Sequence, residues 1–533
     1  MKKFFKKYKE VLILSFVFSF MLFIYEQITS YSANISDYWF DIYKFFPVLL
    51  LEFLIFFIIL FTILFIIKKF INKLYKPIYM LVFALFIALY AEGTYLSSFL
   101  PGIDGSEIYW SSYTVPLIIS CFFWILIFTV IILLYKKLDY KKFEKYTINA
   151  SLFVIVLICI SSLTTLFTTD TLMKKNPVWC TEKNINNISK NNNFLIITLD
   201  TMDATVFEKA IDKLNVKDEF KDFTFFKDAL SVYPYTKLSV PQILTGEEFK
   251  NQSSFKDFVI NAYDNSKLFK ELENRDYTIN IYDLQFPYEG DKYNRFVNTI
   301  NGDKINIKCL IKEQVRLFGY KYLPFPFKRY VNIENLDFLR SRGLDDGTKL
   351  FDYTNLYSYN RLKNNKPNIV DYNNFMYVHL EGAHDPLNLD YDMKYYNDTN
   401  IGYERKLESG VRVMEEYLRF IKDSGYYDSS VIIFMADHGY SGTRCNPMLL
   451  VKGAYEHHDF KVSDTKVSYN ELIDAYIKLL DKKSSDEIFT NKEERYFLNY
   501  NWIDLCHIVE MKTVSNAWDT PSLKDTGITY YCK

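Results

Sequence analysis

Four short clusters in this chain hold residue types that can do chemistry together. Asp200-Thr201 follows the apolar run FLIITL. The segment YPYTKLSVPQILTG (233–246) offers Thr236 and Ser239 ahead of Pro241. HLEGAHDP (379–386) offers His379 and His384, and MADHG (435–439) sets Asp437 and His438 side by side. A carboxylate gives a hard oxygen ligand and an imidazole a borderline nitrogen. That pair suits Zn²⁺ or Mn²⁺, with Mg²⁺ or Ca²⁺ as further divalent choices. A threonine hydroxyl is a poor nucleophile at its free pKa, and a bound metal is a recognised way to activate it. Asp200, Asp437, His438 and Thr236 therefore form one chemically coherent set. His379 reads as a packed core histidine, an orienting group or a ligand. His384, past the strand in a loop flanked by glycine, reads as a functional group. His457 and His458 read either as an exposed loop pair or as a further metal or substrate ligand. Arg444 and Lys452 read either as solvated surface groups or as phosphate contacts.

The elements that must position these groups follow from hydrophobic periodicity. FLIITLD (194–200), YTINIYD (277–283), FMYVHLEG (375–382), VIIFMAD (431–437) and PMLLVKG (447–453) predict buried strands. KLFKELENR, YERKLESGVRVMEEYLRFIKDSG and YNELIDAYIKLLDK between them have helical spacing. This alternation predicts an α/β domain with a mostly parallel sheet and helices on both faces. Ligands of such sheets sit outside the carboxyl ends of the strands, where Asp200 and Asp437 fall.

The first third of the chain is different in kind. Apolar segments at about 11–27, 46–68, 77–99, 115–135 and 150–167 predict five membrane-spanning helices. The expected division is a membrane domain over 1–170, a polar, Asn-rich linker over 171–193 and a catalytic domain over 194–533. The basic start MKKFFKKYK would suit a signal peptide, but no small-residue cleavage site follows it, so it reads as a retained anchor. KKFINKLYK and KKLDYKKFEK add basic residues to the second and fourth loops. The first and third loops carry Glu26, Asp37, Asp41, Glu92, Asp104 and Glu107. The bias predicts a cytoplasmic N-terminus and an extracytoplasmic catalytic domain. Glu52, inside the second span, is either an interfacial or satisfied carboxylate or a polar contact for a lipid head group or a neighbouring helix.

The net charge of −1 over 533 residues gives no argument for nucleic acid. Aromatic residues make up 18% of the chain, almost all Phe and Tyr, and that bias says little about function. Seven cysteines cannot all pair internally, and one or two disulfides are permitted outside the membrane segments.

On NNNFLIITLDTMDA, MADHG and NPMLLVKG, the stretch from about 190 to 480 resembles the sulfatase/alkaline phosphatase superfamily. With five spans ahead of it, the architecture resembles membrane phosphoethanolamine transferases and lipoteichoic acid synthases. That resemblance implies an alkaline-phosphatase-like fold, and transfer of phosphoethanolamine or phosphoglycerol from a membrane phospholipid to an envelope glycan or polymer. It puts the nucleophile on Thr236, three residues before SVP. It puts metal ligands on Asp200, Asp437 and His438, and a substrate or second-metal histidine on His384. Three positions depart from the pattern. Asp200 stands where the transferases usually carry Glu, Tyr440 stands where the phosphoethanolamine transferases resemble DHGE, and no cysteine lies between 180 and 309. The Cys/Ser-x-Pro-x-Arg motif of classical sulfatases is absent. A membrane-anchored hydrolase of sulfate or phosphate esters is the alternative.

Overall fold

The computed structural model describes residues 6–35, 38–102, 108, 110–173, 178–283, 295–302, 304–331, 333, 335–344, 347–396, 399–440, 442–501 and 504–532. Asp37, Asp104 and Glu107 of the expected loops lie outside these. The chain forms two compact units, Met1–Pro177 with Gly302–Leu344, and Val178–Asn301 with Asp345–Lys533.

In the first unit, five helices are long and apolar enough to cross a membrane: α1 (Lys9–Ala33), α2 (Ile42–Phe70), α3 (Asn72–Phe99), α4 (Trp110–Lys137) and α5 (Tyr140–Thr168). Asp41 and Asp139 begin α2 and α5 by accepting from the Lys44 and Lys142 backbone N–H groups, each at 2.9 Å. Glu26 and Glu92, expected in loops, are buried inside α1 and α3. Both find partners in the Gly302–Leu344 segment. Lys321 sits 2.5 Å from Glu26, and Tyr322 donates to the same carboxylate. Lys328 sits 3.2 Å from Glu92, which also accepts from Ser120 and Trp124. A carboxylate buried in an apolar bundle is tolerable only with such pairing. This segment was expected in the catalytic domain; in the structure it packs with the helices.

The second unit is built on a seven-stranded sheet. Its strands are β1 (Asn193–Leu199), β2 (Thr224–Phe226), β3 (Tyr277–Tyr282), β4 (Asn373–Leu380), β5 (Ser430–Met435), β6 (Leu449–Lys452) and β7 (Lys461–Ser463), in the order β7-β2-β6-β5-β1-β4-β3. The pairs β5/β1, β1/β4, β4/β3 and β7/β2 are parallel, and β6 runs antiparallel to both neighbours. Every residue of β1 and β5 is buried, as continuous apolar runs covered on both faces require. The expected helix over 403–425 is α7 (Tyr403–Asp423), after α6 (Thr236–Thr245). Its buried Leu407, Val411, Met414, Leu418 and Ile421 repeat at four- and three-residue steps. All five expected strands are present. β2 and β7 were not anticipated, because three-residue strands carry too little periodicity to be read.

The stretch expected as a linker contains Val178–Cys180, paired with Thr299–Asn301, and Asn187–Ser189, paired with Asn368–Val370. A second antiparallel sheet closes the chain, from β8 (Arg495–Asn501), β9 (Asp504–Thr513) and β10 (Lys524–Tyr531). The Cys506–Cys532 disulfide ties β9 to the segment after β10.

Candidate active site

Parallel pairing sets the register of the site. Thr198 of β1 lies opposite Met435 of β5 on one side and His379 of β4 on the other. Asp200 and Asp437 therefore leave neighbouring strand ends on the same edge of the sheet. Asp437 Oδ1 accepts from the backbone N–H groups of Thr201 (3.3 Å) and His438 (3.0 Å). Those two bonds turn Oδ2 inward. His438 Nδ1 lies 2.8 Å from the Gly439 carbonyl. A carbonyl only accepts, so Nδ1 carries the proton and Nε2 presents a lone pair. That Nε2 stands 3.7 Å from Asp200 Oδ1 and 3.6 Å from Asp437 Oδ2.

One ligand atom from each of Asp200, Asp437 and His438 lies within 4.8 Å of the others. Ligands of a tetrahedral ion with bonds near 2.1 Å are on the order of 3.4 Å apart, so the observed spacings suit a single ion. Polar accounting supports the fit. Asp200 Oδ1, Asp437 Oδ2 and His379 Nε2 are buried and have no hydrogen-bond partner among the described residues, a condition that costs free energy unless something binds there. Burial and the Asp437 carboxylate push the Asp200 carboxyl up, against the pull of His438, His379 and His384. Asp437 is pushed up by burial, but His438, His379, Thr236 and the Thr201 N–H outweigh it and the net is downward.

Thr236 reaches this cluster from another element. Its hydroxyl donates to Asp200 Oδ2 at 3.3 Å, and the residue opens α6. A helix N-terminus carries partial positive charge and unpaired N–H groups, a setting that favours a developing alkoxide or a phosphate. Beside it, a cavity of about 480 Å³ is lined by Tyr235, Tyr500, Asn499, Asn501, Asp504 and His507. Tyr235 packs edge-on against Tyr500, with ring centroids 5.4 Å apart. Arg444 holds its guanidinium 5.1 Å from the ring centre of Tyr235, the residue before Thr236. His384 is exposed in the loop after β4, close enough for its charge to be felt by Asp200.

His379 belongs to the site itself. Its Nε2 points between Asp200 Oδ2 (3.9 Å) and Asp437 Oδ2 (4.0 Å), and its Nδ1 stands 3.5 Å from Asp283 Oδ1. Burial pushes this imidazole down, but Asp283, backed by Asp437 and Asp200, prevails and holds it up at about 9. Sequence reasoning passed over Asp283, although it ends the run YTINIYD as Asp200 and Asp437 end theirs. A carboxylate behind a histidine fixes its tautomer and ring plane, and losing such a partner typically costs about 10–100-fold in metal affinity or activity. Asp283→Asn is expected to lower the affinity measured by metal titration by that factor while leaving the fold intact.

The loop after β4 approaches closely enough to require glycine. Gly382 has φ +56°, and a Cβ there would lie 2.5 Å from both the Asp200 N and O atoms. Gly382→Ala is expected to destabilise the fold by about 2 kcal/mol or more and to displace Asp200. A lowered unfolding midpoint together with reduced metal content would register both effects.

His457, His458 and Lys452 are not brought to this site. They follow or end β6, whose antiparallel course takes Lys452 to Ile432, near the start of β5. His457 is 61% exposed, with Nδ1 3.9 Å from Asp222, and His458 donates its backbone N–H to Asp222 at 3.0 Å. Lys452 is fully buried and donates to the carbonyls of Tyr427, Asp428, Ser430 and Gly453, so it faces no phosphate. Burial lowers its pKa to about 8, against the pull of Asp222, Asp428 and Glu456. The unfolded chain holds this proton up to about 10.4, so between pH 8 and that value it binds more protons than the native state. Stability relative to a Lys452→Met variant is therefore expected to rise with pH across that window, as read from paired denaturation curves.

No family model matches the chain, and no curated protein matches it. Solved structures do. One is described as a protein in the alkaline phosphatase superfamily from Vibrio parahaemolyticus, with 12% identity, covering 66% of this chain and 85% of that one at a TM-score of 0.36. Another is the lipoteichoic acid synthase LtaP from Listeria monocytogenes, with 12% identity, covering 63% and 86% at 0.34. A third is a phosphonate monoester hydrolase from Silicibacter pomeroyi, with 12% identity, covering 63% and 88% at 0.34. At these identities and scores they decide nothing about this chain's chemistry, which has to come from its own residues.

Proposed function

We propose that this chain is an integral membrane, metal-dependent transferase. It moves a phospho-head group, phosphoethanolamine or phosphoglycerol, from a membrane phospholipid to an envelope glycan or polymer by way of a phospho-threonine on Thr236. The observation that carries the reading is the Thr236 hydroxyl, at the start of α6, donating to Asp200 Oδ2 beside the Asp437 and His438 side chains. A divalent ion held by Asp200, Asp437 and His438 would lower the pKa of that hydroxyl and offset charge on the phosphoryl oxygens. The hydrogen bond to Asp200 gives the Thr236 proton a path out. Thr236 Oγ1 attacks phosphorus, the bond to diacylglycerol breaks, and diacylglycerol leaves with a proton. His379, Arg444 and His384 supply positive charge or N–H donors to the phosphoryl oxygens. An acceptor hydroxyl entering from the cavity beside Tyr235 displaces Thr236 Oγ1, which regains its proton. The basic clusters argue for a cytoplasmic N-terminus and an extracytoplasmic site.

The test uses the full chain in lipid nanodiscs with head-group-labelled phosphatidylethanolamine or phosphatidylglycerol. Label trapped on Thr236, found by peptide mass spectrometry and discharged by added glycan, is the expected result. Absence of any adduct in a preparation that turns over would sink the intermediate. Asp rather than Glu at position 200 favours a second reading, a hydrolase. Head-group release at an undiminished rate without acceptor would select it.

A further inference from the structure

Gly302–Leu344 interrupts the chain of the second unit and packs with the first. Its helix Ile307–Tyr322 buries Leu310, Glu313, Gln314, Tyr320 and Tyr322. The open side carries Ile307, Ile311 and Val315, one turn apart, at 48%, 37% and 62% exposure. Lys308 and Lys312, both exposed, run alongside this stripe. Just beyond the helix, Phe327 and Tyr330 are exposed as well.

Depth along α2 indicates what covers the stripe. Gln314 donates to Glu52 Oε2 at 3.2 Å. Glu52 stands sixteen residues before Lys68, which with Lys69 ends α2. At a rise of 1.5 Å per residue that is about 24 Å, and a hydrocarbon core is about 30 Å thick. With Lys68 at one interface, Glu52 lies roughly 6 Å inside the other. The surface of α2 around it is apolar and open, with Leu50, Leu51, Leu54 and Ile55 exposed. A helix held at that depth meets the boundary between head groups and acyl chains.

We propose that helix Ile307–Tyr322 lies in the membrane interface at the end of the spans remote from Lys68 and Lys69. Ile307, Ile311 and Val315 sink into the acyl boundary, and Lys308 and Lys312 sit among lipid phosphates. An apolar stripe beside lysines is the pattern of interfacial helices, and exposed aromatics such as Phe327 and Tyr330 favour the same level. The inference does not rest on the proposed chemistry. The segment thereby becomes a lipid contact of the first unit.

The test places single nitroxide labels on the full chain in nanodiscs of phosphatidylethanolamine and phosphatidylglycerol. Labels go on Ile311→Cys, Val315→Cys and Lys312→Cys in a Cys309→Ser background, with the signal of that background subtracted. All three are surface positions, so folding is little disturbed. Saturation by oxygen is compared with saturation by a water-soluble nickel chelate. Oxygen is expected to dominate at 311 and 315, and the ratio to invert at 312. Equal nickel access at 315 and 312 would mean water covers the stripe. Loss of access to both reagents at 311 and 315 would mean a protein partner or a second copy covers it. Either result overturns the proposal.

Discussion

Thr236→Ala should abolish head-group transfer while leaving the protein folded and its metal bound. The expected loss is roughly 10⁴-fold or more, about 5.4 kcal/mol of transition-state stabilisation. The substitution removes one 3.3 Å hydrogen bond to Asp200 from a half-buried residue. Alanine is well tolerated in a helix first turn, so the unfolding midpoint should move little. Asp200, Asp437 and His438 keep all their groups, so metal content by elemental analysis should match the wild type. Thr236→Ser should keep measurable transfer, because it restores an oxygen at the same bond. An alanine variant that still turns over near the wild-type rate would leave water or another side chain as the nucleophile, and the Thr236 assignment would fail.

The strand ends were legible because parallel pairing puts each carboxyl end on one edge. Asp200, Asp437 and His438 could be read as one group from FLIITLD and VIIFMADHG alone. The same logic could not choose between an exposed pair and a ligand role for His457 and His458. PMLLVKG is a strand like the others in composition, and nothing in it shows that it runs the opposite way. The residue before it, Asn446, meets the site: a Cβ on Gly439 would lie 2.9 Å from the Asn446 carbonyl oxygen. Its end therefore lies across the sheet. Asp283 was missed for a different reason. Its role depends on the side chain it faces, His379 on the adjacent β4, and single-strand periodicity carries no information about that neighbour. The Gly302–Leu344 segment was unreadable because KCLIKEQVRLFGYKY has the spacing of any amphipathic helix. Its place shows only in its partners within the first unit, the carboxylates of Glu26, Glu52 and Glu92 together with Trp39 and Ser120.

Chelation is expected to inactivate the wild type and lower its unfolding temperature, and Asp437→Asn should be insensitive in both respects. Two carboxylates, Asp200 and Asp437, each approach the same His438 Nε2 within 3.7 Å, and Asp437 is wholly buried. Without a cation their charges repel in a medium less polar than water. Burial first, and then the Asp437 charge, push the Asp200 carboxyl up. Binding at about a thousand times Kd adds about 4 kcal/mol to native stability, worth roughly 5–10 °C in a unit of this size. Asp437→Asn removes one of the two charges together with a ligand. It should therefore hold little metal, lack transfer activity, and unfold at or above the temperature of the chelated wild type. The ordering separates a metal site from a structural carboxylate pair. If Asp437 served only the fold, by accepting from the Thr201 and His438 N–H groups, the variant would unfold below the chelated wild type. Zn²⁺, Mn²⁺, Mg²⁺ or Ca²⁺ added back to chelated wild type should each be scored by the recovery in unfolding temperature, a readout independent of turnover. An unfolding temperature unmoved by chelator and by every added ion would remove the metal from the mechanism.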